Sequence, residues 1–424
     1  MLTWVRCEAT PHTHEPPAAC IASFLAEDGV ERSLFIDGPS TGTLWDPVQI
    51  KAIAAGVNNE LMVRGTRRLR FYGTSANFSR VISEALTNYP YLRSTTQEST
   101  SDYRVRPSLA PGTSPESWET VRPRMATRPS IGVNVGQSFT KIVCIGDDGH
   151  LKSRRRTPTA LCSDRHRPTV IKTHVLESCI ELLADRNDWA GVGIAVGGMV
   201  REGKIEPRSG ITAGMSFADA EIIQDLPNEV YRISRVPVLV TQDVRAKAYY
   251  HSASAHNVDT LVLDIGTSLG AAYIDRAGSI PRSYSQLGRV AVDIAADARQ
   301  RRDGRGVGLL SLYLSAQGAV QTLTDLGIGD LSTVNFEVQL GKIDGRALTR
   351  AREDLLGAFA EAMWHIHRYF RPTTVLLTGG MAASRIFATL DQEQYLRDLG
   401  CRVTVSSEPT FDAALGVAHA AGST

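Results

Sequence analysis

Three short turns rich in small residues each follow an apolar run of this sequence. They are VNVGQSFTK (133–141), LDIGTSLGAA (263–272) and LLTGGMAAS (376–384). Glycine lets the backbone approach a phosphate group closely, and Ser/Thr hydroxyls and backbone N–H groups donate hydrogen bonds to its oxygens. One such turn is weak evidence, because a glycine after a strand usually marks only a change of direction. Three of them in one chain predict a phosphate-binding site.

One carboxylate, Asp243, ends the apolar run PVLVTQD (237–243) and precedes a predicted helix over 244–252. An aspartate at that position is well suited to cap the N-terminus of the helix. Its alternative role, as a catalytic carboxylate, depends on the segments that flank it. The two roles are compatible.

The elements that must position these residues alternate between strands and helices. Near-continuous Val, Ile and Leu runs predict buried strands at 131–135, 190–198, 236–243, 259–266 and 373–380. Between them, the clearest helix covers 349–370, with an apolar stripe along one side. A helix of small residues is predicted near the C-terminus, at 411–421. This alternation predicts an α/β fold over 130–424.

The N-terminal part of the chain has a different character. Residues 94–129 are rich in Pro, Ser and Thr, which predicts a linker. Residues 1–93 are predicted to form a small additional α/β domain of unknown role. Its predicted elements are two strands and two helices, namely 31–37, 67–73, a helix beginning at Asp46-Pro47 and a helix over 78–86.

The overall composition excludes several classes of protein. Lys and Arg number 46 against 45 Asp and Glu, so nothing predicts a nucleic-acid partner. No apolar run reaches the roughly 18 residues of a membrane span, and the first residues lack the layout of a signal peptide. The 6 cysteines lie far apart, which argues against a disulfide scaffold or a cysteine-rich zinc site. We therefore expect a reduced, cytoplasmic, multi-domain α/β protein.

The order of these segments resembles that of the actin/hexokinase/Hsp70 superfamily, and within it residues 130–424 resemble the ROK family of repressors, open reading frames and sugar kinases. PVLVTQDVRAKA is similar to the family segment PVxVENDANAAA, and GTSLGAAYIDRAG to GTGIGGGIxxxG. Three further segments match in order, namely AVGGMVREGKI (195–205), SYSQLGRV (283–290) and GLLSLYLSAQG (308–318). The resemblance implies a two-lobed actin-like ATPase (ribonuclease H-like) fold. Lobe one would comprise 130–243 with the helix 411–422, and lobe two would comprise 244–410.

The resemblance also implies an ATP-dependent kinase with Mg²⁺, acting as a homodimer. Asp243 would be the general base that takes the proton of the attacking hydroxyl. The residues expected to bind ATP are Gly136, Ser138, Thr140, Lys141, Gly266, Thr267 and Ser268 at the phosphates, with Gly379, Gly380 and Met381 at the adenosine. The residues expected to bind the substrate are Gly197, Gly198, Gln242, Gln286 and Arg289.

Several positions depart from the family pattern. Arg289 replaces the zinc-binding histidine, and 299–310 contains no cysteine, so no zinc site is expected. Gln286 replaces a sugar-binding glutamate, and Gln242 replaces an asparagine. These changes favour a modified sugar, amino sugar or cyclitol over glucose. Arg289 would either pair with an anionic group of the substrate or be a surface charge.

Asn134 replaces the aspartate that helps hold hydrated Mg²⁺ in the first turn. Asp264 is an alternative acidic group, which would either contact the metal or bond to the backbone of the turn. The loss of the acidic group also supports a second hypothesis, a non-catalytic ligand sensor or transcriptional regulator. The N-terminal pattern, which is not a helix-turn-helix, and the retained Asp243 count against it. A third alternative is an enzyme that uses the nucleotide for a different transfer.

Overall fold

The computed structural model describes most of the chain from residue 126 onward. N-terminal to residue 126, the described residues are 20–25, 31–36, 54–59, 68–72, 92–94 and 103–105. From residue 126 the gaps are 160–166, 199, 202, 206–209, 213–214, 253–257, 281–286, 294, 296, 301–306, 330, 332–342, 344, 383, 385–393 and 424. The predicted helix 78–86 and most of the predicted linker therefore lie outside the described residues.

The described elements alternate as expected for an α/β protein. The strands are β1 Cys20–Leu25, β2 Glu31–Ile36, β3 Arg68–Tyr72, β4 Leu92–Ser94, β5 Tyr103–Val105, β6 Ser130–Val135, β7 Phe139–Ile145, β8 Leu151–Pro158, β9 Gly191–Val196, β10 Val200–Arg201, β11 Lys204–Ile205, β12 Val238–Gln242, β13 Thr260–Ile265, β14 Leu269–Ile274, β15 Thr374–Thr378 and β16 Arg402–Val405. The helices are α1 54–59, α2 Arg167–Leu183, α3 Phe217–Gln224, α4 Leu226–Ser234, α5 Asp243–Ser252, α6 Ala316–Asp325, α7 Gly345–Phe370, α8 Gln394–Asp398 and α9 Asp412–Gly422. None of these described helices is long and apolar enough to cross a membrane.

The chain divides into two compact units, each drawn from three stretches. The first comprises Met1–Pro111, Gln286–Leu314 and Glu353–Phe370, and the second comprises Gly112–Ser285, Ser315–Arg352 and Arg371–Thr424. The predicted division into 1–93, 94–129 and 130–424 follows the sequence alone and stays a prediction.

In the first unit, N-terminal residues contact a segment far away in sequence. The sheet has the order β2-β1-β3-β5-β4, and its strand β5 falls within the predicted linker. On α1, the Asn59 amide donates to the Ala291 carbonyl at 2.8 Å, and its side-chain oxygen accepts from the Ala291 N–H at 2.6 Å. The Asn58 amide donates to the Arg289 carbonyl at 3.1 Å. Two buried asparagines thus fix the backbone around the Leu287–Arg289 turn.

The second unit contains two mixed sheets. One has the order β12-β9-β6-β7-β8, with β12, β9 and β6 parallel and β7 and β8 antiparallel. The other has the order β14-β13-β15-β16, in which only β14 is antiparallel. The five strands predicted from apolar runs are confirmed within about two residues at each end, with β6, β9 and β13 buried throughout and β12 and β15 buried in part.

Two helices, α5 and the small-residue helix α9, pack against each other and against the sheets of the second unit. A Cβ at Gly132 of β6 or at Gly193 of β9 would collide with backbone carbonyls of α9. A Cβ at Gly416 of α9 would collide with the Ala246 carbonyl of α5. On its other side, α5 buries Val244 against Val262 and Ala272 of the second sheet. This close packing positions the strand ends of both sheets on either side of α5.

Candidate active site

Two aspartates and two lysines come together where the strands of the second unit end. Asp243 is the first residue of α5, directly after β12, and Lys247 lies one helical turn later. Asp264 is on β13 and Lys141 is on β7. The Lys247 ammonium group forms an ion pair with Asp264 Oδ1, and these side chains are only 5% and 12% exposed. The two positive and two negative charges offset one another, which lowers the free-energy cost of burying them.

Lys247 was missed as a site residue by sequence reasoning. A signal was present, because PVLVTQDVRAKA has lysine where the similar segment PVxVENDANAAA has alanine. The lysine is 4% exposed on a helix face that otherwise buries Val244 and Ala248. A buried lysine in such a position requires a charged partner, and Asp264 is that partner.

The pKa of the Asp243 carboxyl group is shifted into the neutral range. Burial raises the pKa of its carboxyl group to about 7, and the negative charge of Asp264 adds to this effect. The charges of Lys247 and Lys141 and the hydrogen bond from the Val244 N–H, at 2.8 Å, act in the opposite direction. A carboxylate with a pKa near 7 is suited to accept a proton at physiological pH.

The predicted substrate-side glycine Gly197 lies beside this carboxylate. A Cβ on Gly197 would be 3.3 Å from Asp243 Oδ2. The Gly197 carbonyl accepts a hydrogen bond from the Ile211 N–H at 2.5 Å, and Gly198 follows it with a φ of 157°. Gln242 precedes Asp243 as the last residue of β12 and is partly buried. The backbone therefore brings three predicted substrate residues to the predicted base.

The first phosphate turn is shorter than the prediction. The residues predicted to bind phosphate run from Gly136 to Lys141, but β7 begins at Phe139, and the Gly136 N–H donates to the Phe139 carbonyl at 3.1 Å. Thr140 and Lys141 are strand residues whose side chains lie on opposite faces. The Thr140 hydroxyl shares a hydrogen bond of 3.2 Å with Thr159 in the interior. Thr140 is therefore engaged in a structural contact.

Lys141 lies on the site side of β7. Its Nζ atom is 3.4 Å from the point that a Cβ on Gly136 would occupy. Burial lowers the pKa of Lys141 to about 8, and the positive charge of Lys247 contributes to the decrease, while Asp264 and Asp243 oppose it. The lysine is thus placed beside the first turn with its charge only partly compensated.

The first and second phosphate turns meet at their tips. Ser138 Oγ and Thr267 Oγ1 share a hydrogen bond of 2.8 Å. The second turn is closed by a bond from the Gly266 N–H to the Ser268 carbonyl at 3.0 Å. It is held from behind by the start of α6, where the Ala316 N–H donates to the Gly266 carbonyl at 2.8 Å. Two of the three predicted phosphate turns are therefore adjacent.

The third turn packs on the end of β13. Gly379 has a φ of 93°, and a Cβ there would collide with Asp264 Oδ1. The Met381 N–H donates to the Ile265 carbonyl at 3.0 Å. Gly380 lies between Gly379 and Met381 in the chain. Glycine is required at 379 both by its backbone conformation and by the carboxylate beside it.

Two predicted residues are not placed at this cluster by the structure. Arg289 belongs to the first compact unit, and Gln286 lies outside the described residues. Their role in binding the substrate stays a prediction. Asn134, by contrast, is on β6 of the second unit and is 3% exposed. Its Oδ1 atom has no hydrogen-bond partner within the described part of the chain.

The residues present do not fit a Mg²⁺ ion bound through Asp264. Magnesium requires oxygen ligands in an octahedral arrangement, and Asp264 Oδ1 is already bonded to the Lys247 ammonium group. That ammonium group would repel a divalent cation. Asn134, where the family pattern has an acidic group, supplies only a neutral oxygen. We assign no catalytic step to this metal.

Known proteins were compared with the chain by sequence and by structure. No protein-family model and no curated protein sequence matches it. A ROK family glucokinase from Streptomyces griseus, solved with glucose and AMPPNP, is similar at a TM-score of 0.55 and 17% identity, covering 70% of this chain and 100% of its own.

Two further solved structures are similar over most of their own length. A ROK family transcriptional regulator, homolog of the E. coli MLC protein, has a TM-score of 0.54 and 14% identity, covering 88% of this chain and 96% of its own. A putative N-acetylmannosamine kinase from Listeria monocytogenes has a TM-score of 0.52 and 14% identity, covering 69% and 98%. The chain therefore has the mixed α/β, actin-like ATPase fold of the ROK family of sugar kinases and regulators.

Proposed function

We propose that the chain transfers the terminal phosphoryl group of ATP to a hydroxyl of a modified sugar, amino sugar or cyclitol. The observation that carries this proposal is the position of Asp243. Its carboxylate lies beside the substrate-side Gly197 and in the same charged cluster as Lys141, which borders the first phosphate turn. The proposed base thus lies close to the glycine proposed to contact the acceptor and to the lysine proposed to contact the phosphates.

In the proposed reaction, Asp243 accepts the proton of the substrate hydroxyl. The hydroxyl oxygen forms a bond to the terminal phosphorus while the bond from that phosphorus to the ADP oxygen breaks. Such transfers depend mainly on positioning and on stabilisation of negative charge. The ammonium groups of Lys141 and Lys247 and the backbone N–H groups of the turns would supply that stabilisation.

The neighbours support the two ligands in general terms. The glucokinase from Streptomyces griseus was solved with glucose and the ATP analogue AMPPNP, and this chain covers its whole length. The substitutions at Gln242, Gln286 and Arg289 support a substrate other than glucose. A homodimer and a cytoplasmic location remain expectations of the family resemblance.

A second candidate is a ROK-like regulator that binds a sugar without modifying it. One observation favours it: the match to the transcriptional regulator covers 88% of this chain. Residues 130–424 make up about 70% of the chain, so that match extends into the N-terminal part. The hydrogen bonds of Asn58 and Asn59 also join the N-terminal part to 289–291, which includes a predicted sugar-side residue.

The two candidates are separated by a transfer assay on the full chain. The purified protein is incubated with ATP, with and without Mg²⁺, and a panel of sugars, amino sugars and cyclitols, and product masses are measured. The proposal predicts that one compound gains one phosphoryl group, and that Asp243→Asn abolishes the gain. Asp148→Asn, in an exposed hairpin, is the matched control and should retain it. Nucleotide binding without transfer, together with sugar-dependent DNA binding, would favour the regulator.

A further inference from the structure

We propose that Lys247 takes the place of the divalent cation in the phosphate site, so that the chain binds the phosphates of ATP without Mg²⁺. This inference rests on the proposed function only in assuming that the turns bind a nucleotide. It concerns how that site balances charge and does not depend on whether a phosphoryl group is transferred.

The first argument is the position of the Lys247 ammonium group. It contacts Asp264 Oδ1, the carboxylate at the end of β13 that directly precedes the second phosphate turn. The same oxygen faces Gly379 of the third turn, where a Cβ would collide with it. Asp264 is therefore enclosed between a lysine of α5 and a glycine of the third turn. The ammonium group already occupies one of the two oxygens through which this carboxylate could bind a cation.

The second argument is a charge count against the family pattern. The similar family segments have aspartate at the position of Asn134 and alanine at the position of Lys247. Asn134 removes a negative charge and Lys247 adds a positive one, and Thr241 and Arg245, in place of the family glutamate and asparagine, change the charge of the same segment in the same direction. Asp264 offsets the charge of Lys247 and fixes the ammonium group beside the second turn. A site that has lost an acidic group and gained a basic one has less need of a metal.

The third argument is that the two ammonium groups of the cluster can bind an anion. Burial and then the nearby positive charge of Lys247 lower the pKa of Lys141, so the two ammonium groups are close enough to repel each other. Oxygens of a polyphosphate placed between the first two turns would relieve that repulsion. Asn134 Oδ1, buried and without a partner among the described residues, can accept a hydrogen bond from an ammonium group redirected by the ligand.

The inference is tested by calorimetric binding of AMPPNP, which separates binding from transfer. The full chain is titrated in buffer with EDTA and in buffer with Mg²⁺. We expect the two dissociation constants to agree within about threefold, and more than about tenfold weaker binding in EDTA would overturn the inference. No binding in either buffer would overturn both the inference and the phosphotransferase. Binding in EDTA without transfer to any sugar would overturn the phosphotransferase alone.

Substitutions at position 247 distinguish a ligand role from a structural one. Lys247→Ala restores the family residue and leaves Asp264 available, so binding should weaken at least tenfold in EDTA and recover with Mg²⁺. Lys247→Arg, the matched control, should keep binding independent of the metal. Because Lys247→Ala leaves a buried carboxylate unpaired, we add the neutral pair Lys247→Met with Asp264→Asn. This pair should bind weakly in both buffers. Equal binding of wild type and Lys247→Ala in EDTA would refute the inference.

Discussion

Replacing Asp243 with asparagine is expected to stabilise the protein, and the gain should depend on pH. Burial raises the pKa of this carboxyl group from its ordinary 3.8 to about 7. The native state therefore binds the proton more tightly than the unfolded chain does. Folding disfavours the ionised form of Asp243, which lowers the free energy of unfolding. This loss of stability is absent below about pH 4, grows as the pH rises to 7 and is constant above pH 7.

The size of the effect follows from the shift. About three pKa units correspond to about 4 kcal/mol of unfolding free energy above pH 7. Because Asp243 is partly accessible to solvent, which screens its interactions, we expect about half of that, roughly 2 kcal/mol, at pH 8. At pH 5 the carboxyl group is mostly protonated in the native state, and the gain should be less than half as large. An asparagine oxygen still accepts the hydrogen bond from the Val244 N–H.

The assay is urea denaturation of wild type and Asp243→Asn at pH 5, 6, 7 and 8, followed by tryptophan fluorescence. Asp148→Asn serves as the control, because the pKa of the exposed Asp148 is lowered by its bond to Lys152. The control should gain no stability at pH 8. An Asp243→Asn variant that is no more stable than wild type at pH 8, or whose gain does not change with pH, would refute the reasoning.

Two further predictions concern activity and packing. The pH profile of kcat/KM should rise as Asp243 ionises near 7 and fall as Lys141 loses its proton near 8, with rates about sevenfold lower at pH 6 and pH 9 than at pH 7.5. Lys141→Arg should remove the alkaline decrease, and a profile unchanged by that substitution would contradict the assignment. Gly416→Val should lower the unfolding free energy by about 2 kcal/mol or more, because its Cβ has no room beside the Ala246 carbonyl. Gly329→Ala, where nothing lies within 4 Å, is the control in the same urea experiment, and equal losses in both variants would contradict the packing argument.

The buried strands could be predicted from sequence because their signal is local. The run predicted at 259–266 forms β13 over Thr260–Ile265, and the run at 373–380 forms β15 over Thr374–Thr378. Each is a continuous apolar segment that ends at a glycine. The first phosphate turn is predicted too long because sequence reasoning uses only such local signals. Thr140 and Lys141 are polar, so sequence reasoning assigns them to the turn. Only the folded chain shows that the Thr140 hydroxyl bonds to another hydroxyl and that the Lys141 ammonium group lies near charged side chains.

The cluster at the site depended on contacts that sequence reasoning could not supply. Lys247 differs visibly from the family alanine, but its importance depends on Asp264, which only the packing of α5 on β13 brings to it. The contact of Asn59 with Ala291 joins residues 232 positions apart. No local pattern predicts such a pair, because asparagine at the end of a short helix is common for reasons of capping alone.

The central claim is that Asp243 is the general base of a phosphoryl transfer. It is tested most directly by kcat for the sugar that gains a phosphoryl group, measured at pH 8 with wild type and Asp243→Asn. The account predicts a decrease in kcat of about 10²- to 10⁴-fold, with AMPPNP binding retained and the folded state at least as stable as wild type. A variant that keeps wild-type kcat on that sugar would contradict it.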